Sequence, residues 1–200
     1  MSESARRDSP LGQFLAERRP DPERPGLTLG ERPFMGHVNL RGNPSDPDFL
    51  EAVASAAGVP LPVEANTVSE GGDVCALWLG PDEWLLLTPP GREAEVCEAL
   101  GRSLAGTMSS VNDISGGQTV INVAGERARD LLAKGCTLDL HLRVFGPGRC
   151  GQTLVAKAAV IVRQLDDTPS FDLVVRRSFA DYLARWLEDA GREYGLAVVE

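Results

Sequence analysis

The stretch GPDEWLLLTP at positions 80–89 constrains the fold of this chain more than any other. Pro81 suits the second position of a type I turn, and Asp82 suits the positions around it. The residues before the turn, ALWL at 76–79, are apolar. Those after it, Trp84 to Thr88, are apolar and then β-branched. The pattern predicts a hairpin over about Val74 to Thr88, with Asp82 and Glu83 at its tip and Trp84 opening the returning strand. It leaves open what the hairpin is for.

The flanking segments extend the pattern. Val38 and Leu40 sit two apart, as in a short strand. DFLEAVASAAG at 48–58 predicts a helix, with Ser45 or Asp46 as N-cap and Gly58 as its stop. GREAEVCEALGRSLAG predicts a second helix with Val96, Leu100 and Leu104 on one face. TMSSVNDISGGQTVINVAG reads as another hairpin turning at Gly116-Gly117, and GERARDLLAKG as a short helix ending at Gly135. TLVAKAAVIVRQ and FDLVVR read as two strands joined by DDTPS. In the last helix, Ser178 and Asp181 resemble a capping box. Phe179, Tyr182, Leu183, Trp186, Leu187 and Ala190 form its apolar stripe. Hairpins alternating with helices predict an α+β fold: mostly antiparallel sheet, with helices packed on it.

Residues 1–26 are rich in charge, hold four prolines and carry little apolar content. They predict a disordered or extended N-terminal arm, ordering only on a partner if at all, ahead of one α+β domain over 27–200.

Charge and motifs narrow the chemistry. The net charge of −9 argues against nucleic-acid binding. No apolar run reaches the ~20 residues of a membrane span, and MSESARRDSP lacks a signal-peptide core, so a cytoplasmic location is expected. The four cysteines (Cys75, Cys97, Cys136, Cys150) form no C-x-x-C pair and read as free thiols. Cys136, His141 and Cys150 match no zinc spacing. There is no G-x-G-x-x-G turn, phosphate loop, G-x-S-x-G elbow or H-E-x-x-H. Cys136 with His141 is the one Cys–His candidate, and a thiol just past a helix C-terminus is poorly placed to ionise. No catalytic, cofactor-binding or metal-binding residue is assigned.

Six segments in order resemble one family: NLRGNPSDPDFLEAV, LPVEAN, WLGPDEWLLLTP, DISGGQTVINVAGERARDLLAKGCTLDL, CGQTLVAKAAVIVRQ and RRSFADYLARWLEDAG. Together they resemble the gamma subunit of heterotetrameric sarcosine oxidase, from about Leu27 to Gly191. The resemblance implies a fold like the folate-binding domain of glycine-cleavage aminomethyltransferases. It implies partners, the alpha, beta and delta subunits, which carry FAD, FMN, NAD, tetrahydrofolate and zinc, and no cofactor on this chain. It also implies an assembly that demethylates sarcosine to glycine, passes the methyl carbon to tetrahydrofolate and makes hydrogen peroxide. The alternative is a stand-alone folate-binding one-carbon protein. Another N-methylated amine as substrate would leave no mark on this chain.

Three local features have two readings each. Trp78 and Trp84 can anchor a neighbouring subunit or pack in the chain's own core. In the first case the acidic hairpin tip stays in water or meets a partner's arginine. Lys134-Gly135-Cys136 is similar to the K-G-C motif of folate-dependent iron–sulfur repair proteins, but continues as Thr137-Leu138-Asp139-Leu140. Asp113 can accept a hydrogen bond from a pterin or cap its own turn, and capping is the commoner role.

Overall fold

The computed structural model describes residues 7–18 and 26–199. Two β-sheets lie face to face, each covered on its outer side by helices. The first sheet contains β1 (Leu27–Arg32), β7 (Gln118–Ala124), β8 (Cys150–Val155), β9 (Ala158–Asp166), β10 (Ser170–Arg176) and β11 (Leu196–Val198), in the order β11-β1-β7-β10-β9-β8. Every neighbouring pair in it is antiparallel except β1 and β11. The second holds β2 (Gly36–Arg41), β3 (Val68–Gly71), β4 (Val74–Gly80), β5 (Glu83–Thr88) and β6 (Ser110–Asp113), in the order β3-β4-β5-β2-β6, all antiparallel.

The period-two pleat explains why these strands read as nearly continuous apolar runs. Along β5, Trp84 and Leu86 face the helices, while Leu85 and Leu87 face the other sheet. Along β10, Phe171, Leu173 and Val175 face the helices and Val174 faces inward. Three apolar layers result. One lies between the first sheet and helices α1 (Gly12–Ala16), α4 (Ala128–Ala133) and α5 (Ala180–Gly191). Another lies between the second sheet and α2 (Pro47–Ala57) and α3 (Glu93–Ser103). The third joins the sheets through Leu77, Leu85, Leu87, Val120, Ile161 and Val174.

The hairpin at 80–89 forms as β4–β5. Asp46 caps α2 by accepting from the Asp48 backbone N–H at 3.0 Å, and Gly58 ends the helix in the left-handed conformation at φ 72°. Four other expectations change. TLVAKAAVIVRQ spans two strands, because the chain reverses at Ala156-Lys157 with Ala156 at φ 52°. Gly116-Gly117 does not close a hairpin: β6 pairs with β2 in one sheet and β7 with β1 and β10 in the other. Ser178 makes no capping bond, since it lies in the 3-10 turn Arg177–Phe179 ahead of α5. The face that α5 buries is Ala180, Leu183, Ala184, Leu187 and Gly191, while Phe179 and Tyr182 are exposed and Trp186 is half-buried.

Part of the arm expected over 1–26 lies outside the described residues. The rest is neither extended nor loose. Leu11 and Phe14, on and beside α1, are buried in the first core. Arg18 lies 3.6 Å over the Phe14 ring and donates to both carboxylate oxygens of Glu188 at 2.5 and 2.6 Å.

Candidate functional site

The two hairpin tryptophans stand opposite each other across β4 and β5, yet differ in environment. Trp84 is fully buried; its Nε1–H donates to the Pro62 carbonyl at 2.7 Å, and its ring lies 5.9 Å from that of Phe49. It is a core residue of this chain and cannot anchor a partner. Trp78 is half-buried at the margin of the same core. The acidic tip needs no partner's arginine. Arg41 of the neighbouring strand pairs with Asp82 at 3.2 Å and Glu83 at 3.6 Å, and Asn39 donates to Glu83 at 2.8 Å.

Cys136, His141 and Cys150 are not brought together. Cys136 lies 4.0 Å from the Thr153 hydroxyl. His141 is exposed, and its Nδ1 accepts from the Arg143 backbone N–H at 3.2 Å. Cys150 is buried against the Thr67 and Trp78 carbonyls, at 3.3 and 3.5 Å. Burial pushes the Cys150 thiol up to about 12. It also pushes Cys75 up to about 11, against the pull of the Arg163 guanidinium. Neither thiol forms a thiolate at neutral pH. Lys134-Gly135-Cys136 is a packing joint. Lys134 Nζ donates to the Ala190 carbonyl and Glu193, and a Cβ on Gly135 would stand 2.6 Å from the Trp186 ring.

A buried charge network, not foreseen from the sequence, links the sheets. Asp172 on β10 is fully buried and accepts from Arg163 Nε at 3.1 Å, Arg163 Nη2 at 2.8 Å and Asn122 at 2.9 Å. Arg32 Nε approaches it at 3.2 Å. Arg163 also donates across the interface to Cys75 Sγ at 2.8 Å. The available signal was parity: Arg163 and Asp172 occupy inward-facing positions in otherwise apolar strands.

A cleft of about 340 Å³ opens where the segment before α1 crosses the end of the second sheet. Arg7, Asp8, Pro10, Phe34, Met35, Glu93, Asp113, Gln118 and Arg177 are among its walls. Asp113 stands on the rim and caps its own turn, accepting from the Ser115 backbone N–H at 2.9 Å and hydroxyl at 2.5 Å. Nearby, His37 is fully buried, and neither ring nitrogen has a hydrogen-bond partner among the described residues. Burial lowers its pKa to about 4, although the Met35 backbone, Asp113 and Glu93 favour the charged form.

Comparison with known proteins gives this geometry a context. Residues 41–193 match the sarcosine oxidase, gamma subunit family. The chain belongs to that family. The sarcosine oxidase subunit gamma of Corynebacterium sp. (strain P-1) is 34% identical over 169 residues, covering 84% of this chain and 81% of that one. Among solved structures, the heterotetrameric sarcosine oxidase from Corynebacterium sp. U-96, in complex with pyrrole 2-carboxylate, holds a similar chain. It superposes with a TM-score of 0.86 at 30% identity, over 97% of this gamma-family chain and 99% of that one. The glycine cleavage system aminomethyltransferase T from Bartonella henselae shares the fold at a TM-score of 0.64 and 14% identity, over 88% of this chain and 48% of that one.

Proposed function

We propose that this chain is the gamma subunit of a heterotetrameric sarcosine oxidase and serves its assembly rather than its chemistry. The reading rests on one observation: the likeness to a chain of such a heterotetramer runs almost end to end in both. The complex oxidises the N-methyl group of sarcosine, releases glycine, passes the methyl carbon to tetrahydrofolate and reduces oxygen to hydrogen peroxide. The partners are alpha, beta and delta subunits, which carry the FAD, FMN, NAD, tetrahydrofolate and zinc, and the assembly works in the cytoplasm. Residues 27–200 act in it as one domain, with Leu11 and Phe14 of the preceding segment packed into its first core.

The one Cys–His candidate, Cys136 with His141, is not brought together, and the buried thiols and imidazole also support a non-catalytic role. Cys75 and Cys150 are held as neutral thiols by burial, and His37 is a sealed neutral imidazole. Contact with the larger subunits falls to surface such as Trp78, with the exposed Phe179 and Tyr182 of the α5 end available as well.

The test is purification of the tagged chain from its native cells. A yellow complex with larger subunits, making peroxide from sarcosine, is the expected result. A colourless lone chain that takes up tetrahydrofolate would overturn the proposal in favour of a stand-alone folate binder.

A further inference from the structure

Two buried acceptors on residues lining the cleft beside Glu93 have no partner among the described residues. Glu93 is 4% exposed, yet it carries a carboxylate. Its Oε1 accepts from Arg7 Nη2 at 3.1 Å, while its Oε2 has no partner among the described residues. Gln118, which lines this cleft and also the one beside Leu79 and Gln152, has a buried Oε1 that is likewise unpartnered among those residues. Both atoms are acceptors, so only a donor can satisfy them. Neutral donors can satisfy a buried carboxylate, as the Ser9 and Thr119 hydroxyls do for Glu31, but a donor that carries positive charge does so more strongly and offsets the charge as well.

The cation now supplied is a weak one. The Arg7 side chain is 66% exposed, so solvent screens its half of the pair and the arginine leaves at little cost. From the other side the carboxylate cannot be reached. Gly36 backs onto it so closely that a Cβ there would lie 2.2 Å from the Thr88 hydroxyl and 3.2 Å from Glu93 Oε2. The open approach to Glu93 is therefore the one Arg7 occupies. The cleft, about 340 Å³, has room for about ten waters at ~30 Å³ each, which suits a small molecule. Pro10, Met35 and the partly exposed Phe34 ring supply apolar wall for carbon substituents.

We propose that this cleft binds a small protonated amine, whose N–H groups displace Arg7 from Glu93 and satisfy Glu93 Oε2 and Gln118 Oε1. An anion is disfavoured there by the unpaired carboxylate oxygen. The site does not depend on the assembly role proposed above and is read on the full chain alone.

The experiment is a titration of the isotope-labelled full chain, followed by amide NMR shifts. Dimethylammonium chloride and sarcosine are added at constant ionic strength, with sodium chloride as the blank. Saturable shifts around Ser115 and Gln118 are expected with both. Arg7→Ala should tighten binding about two- to fivefold, the equivalent of removing an exposed competing ion pair. Glu93→Gln should abolish saturation, and Gln118→Leu should weaken it, with the spectra of both variants confirming that they fold. Absence of saturation in the parent chain, saturation surviving in Glu93→Gln, or weaker binding in Arg7→Ala would each overturn the proposal. So would binding of sarcosine without dimethylammonium, because the carboxylate would then be the recognised group.

Discussion

His37 offers the sharpest physical test of the fold. Its imidazole is fully buried on β2, neither nitrogen has a partner among the described residues, and its pKa is lowered to about 4 from an ordinary 6.5. The unfolded chain therefore binds a proton through a range in which the folded chain does not. Stability from this group is complete above the unfolded pKa and declines as pH falls from there towards the folded one. With these two values, the loss between about pH 7 and about pH 5 is roughly 2 kcal/mol. For a chain of this size that is about 4–8 °C in Tm. The charged groups facing the ring, Glu93 on α3 and Asp113 on β6, already act within the lowered value. The perturbation is His37→Leu, which removes the titration and orphans no hydrogen-bond partner; near neutral pH it should cost little or even stabilise. The assay is urea denaturation of both proteins across this range. The parent should lose about 2 kcal/mol more than the variant on acidification. Parallel pH profiles would refute the reasoning, because the acid sensitivity would then come from other groups.

Three further outcomes are expected. Trp84→Ala should cost about 3–5 kcal/mol by urea denaturation, since it empties a large core volume and orphans the Pro62 carbonyl; a loss below about 1 kcal/mol would contradict the burial. Arg163→Met should cost about 1.5–3 kcal/mol, since Asp172 loses two charge-assisted bonds but keeps Arg32 and Asn122, and adding Asp172→Leu should recover most of that; no recovery would show that the arginine acts through something other than its pair. In thiol labelling of the native chain, Cys136 should react ahead of Cys75 and Cys150, whose raised pKa values and burial protect them until unfolding; early labelling of Cys150 would overturn that.

What was legible in the sequence was local. The β4–β5 hairpin announced itself through Pro81 and Asp82, and α2 through Asp46 and Gly58, because turn and cap chemistry is written within a few residues. What failed needed information from farther away. Nothing in TLVAKAAVIVRQ marks the reversal at Ala156, which takes a positive φ without a glycine or asparagine. Gly116-Gly117 looks like a hairpin turn, but pattern cannot say that the strands on either side join different sheets. On α5 the aromatic residues drew the stripe towards Phe179 and Tyr182. Leu183 and Leu187 of that stripe are buried, but the rest of the buried face is Ala180, Ala184 and Gly191, which weigh little in a hydrophobicity count. In the N-terminal segment, two buried anchors, Leu11 and Phe14, are diluted by polar neighbours. Glu93 was one more acid among many, and only the closed geometry around it sets it apart.

The buried charges between the sheets bear on why this arrangement is specific as well as stable. An ion pair taken out of water contributes little net free energy compared with apolar residues of the same size. Its value lies in what it excludes. Leu77, Leu85, Leu87, Val120, Ile161 and Val174 can interdigitate in several ways, since apolar contact is non-directional. Asp172 cannot. A one-residue slip of β10 against β9 would turn Asp172 onto the helix-covered face, among the Phe171, Leu173 and Val175 positions and away from Arg163 and Arg32. Arg163 extends the same constraint across the layer by donating to Cys75 on β4 while it holds Asp172. One network thus fixes the register within the first sheet and the seating of the second upon it.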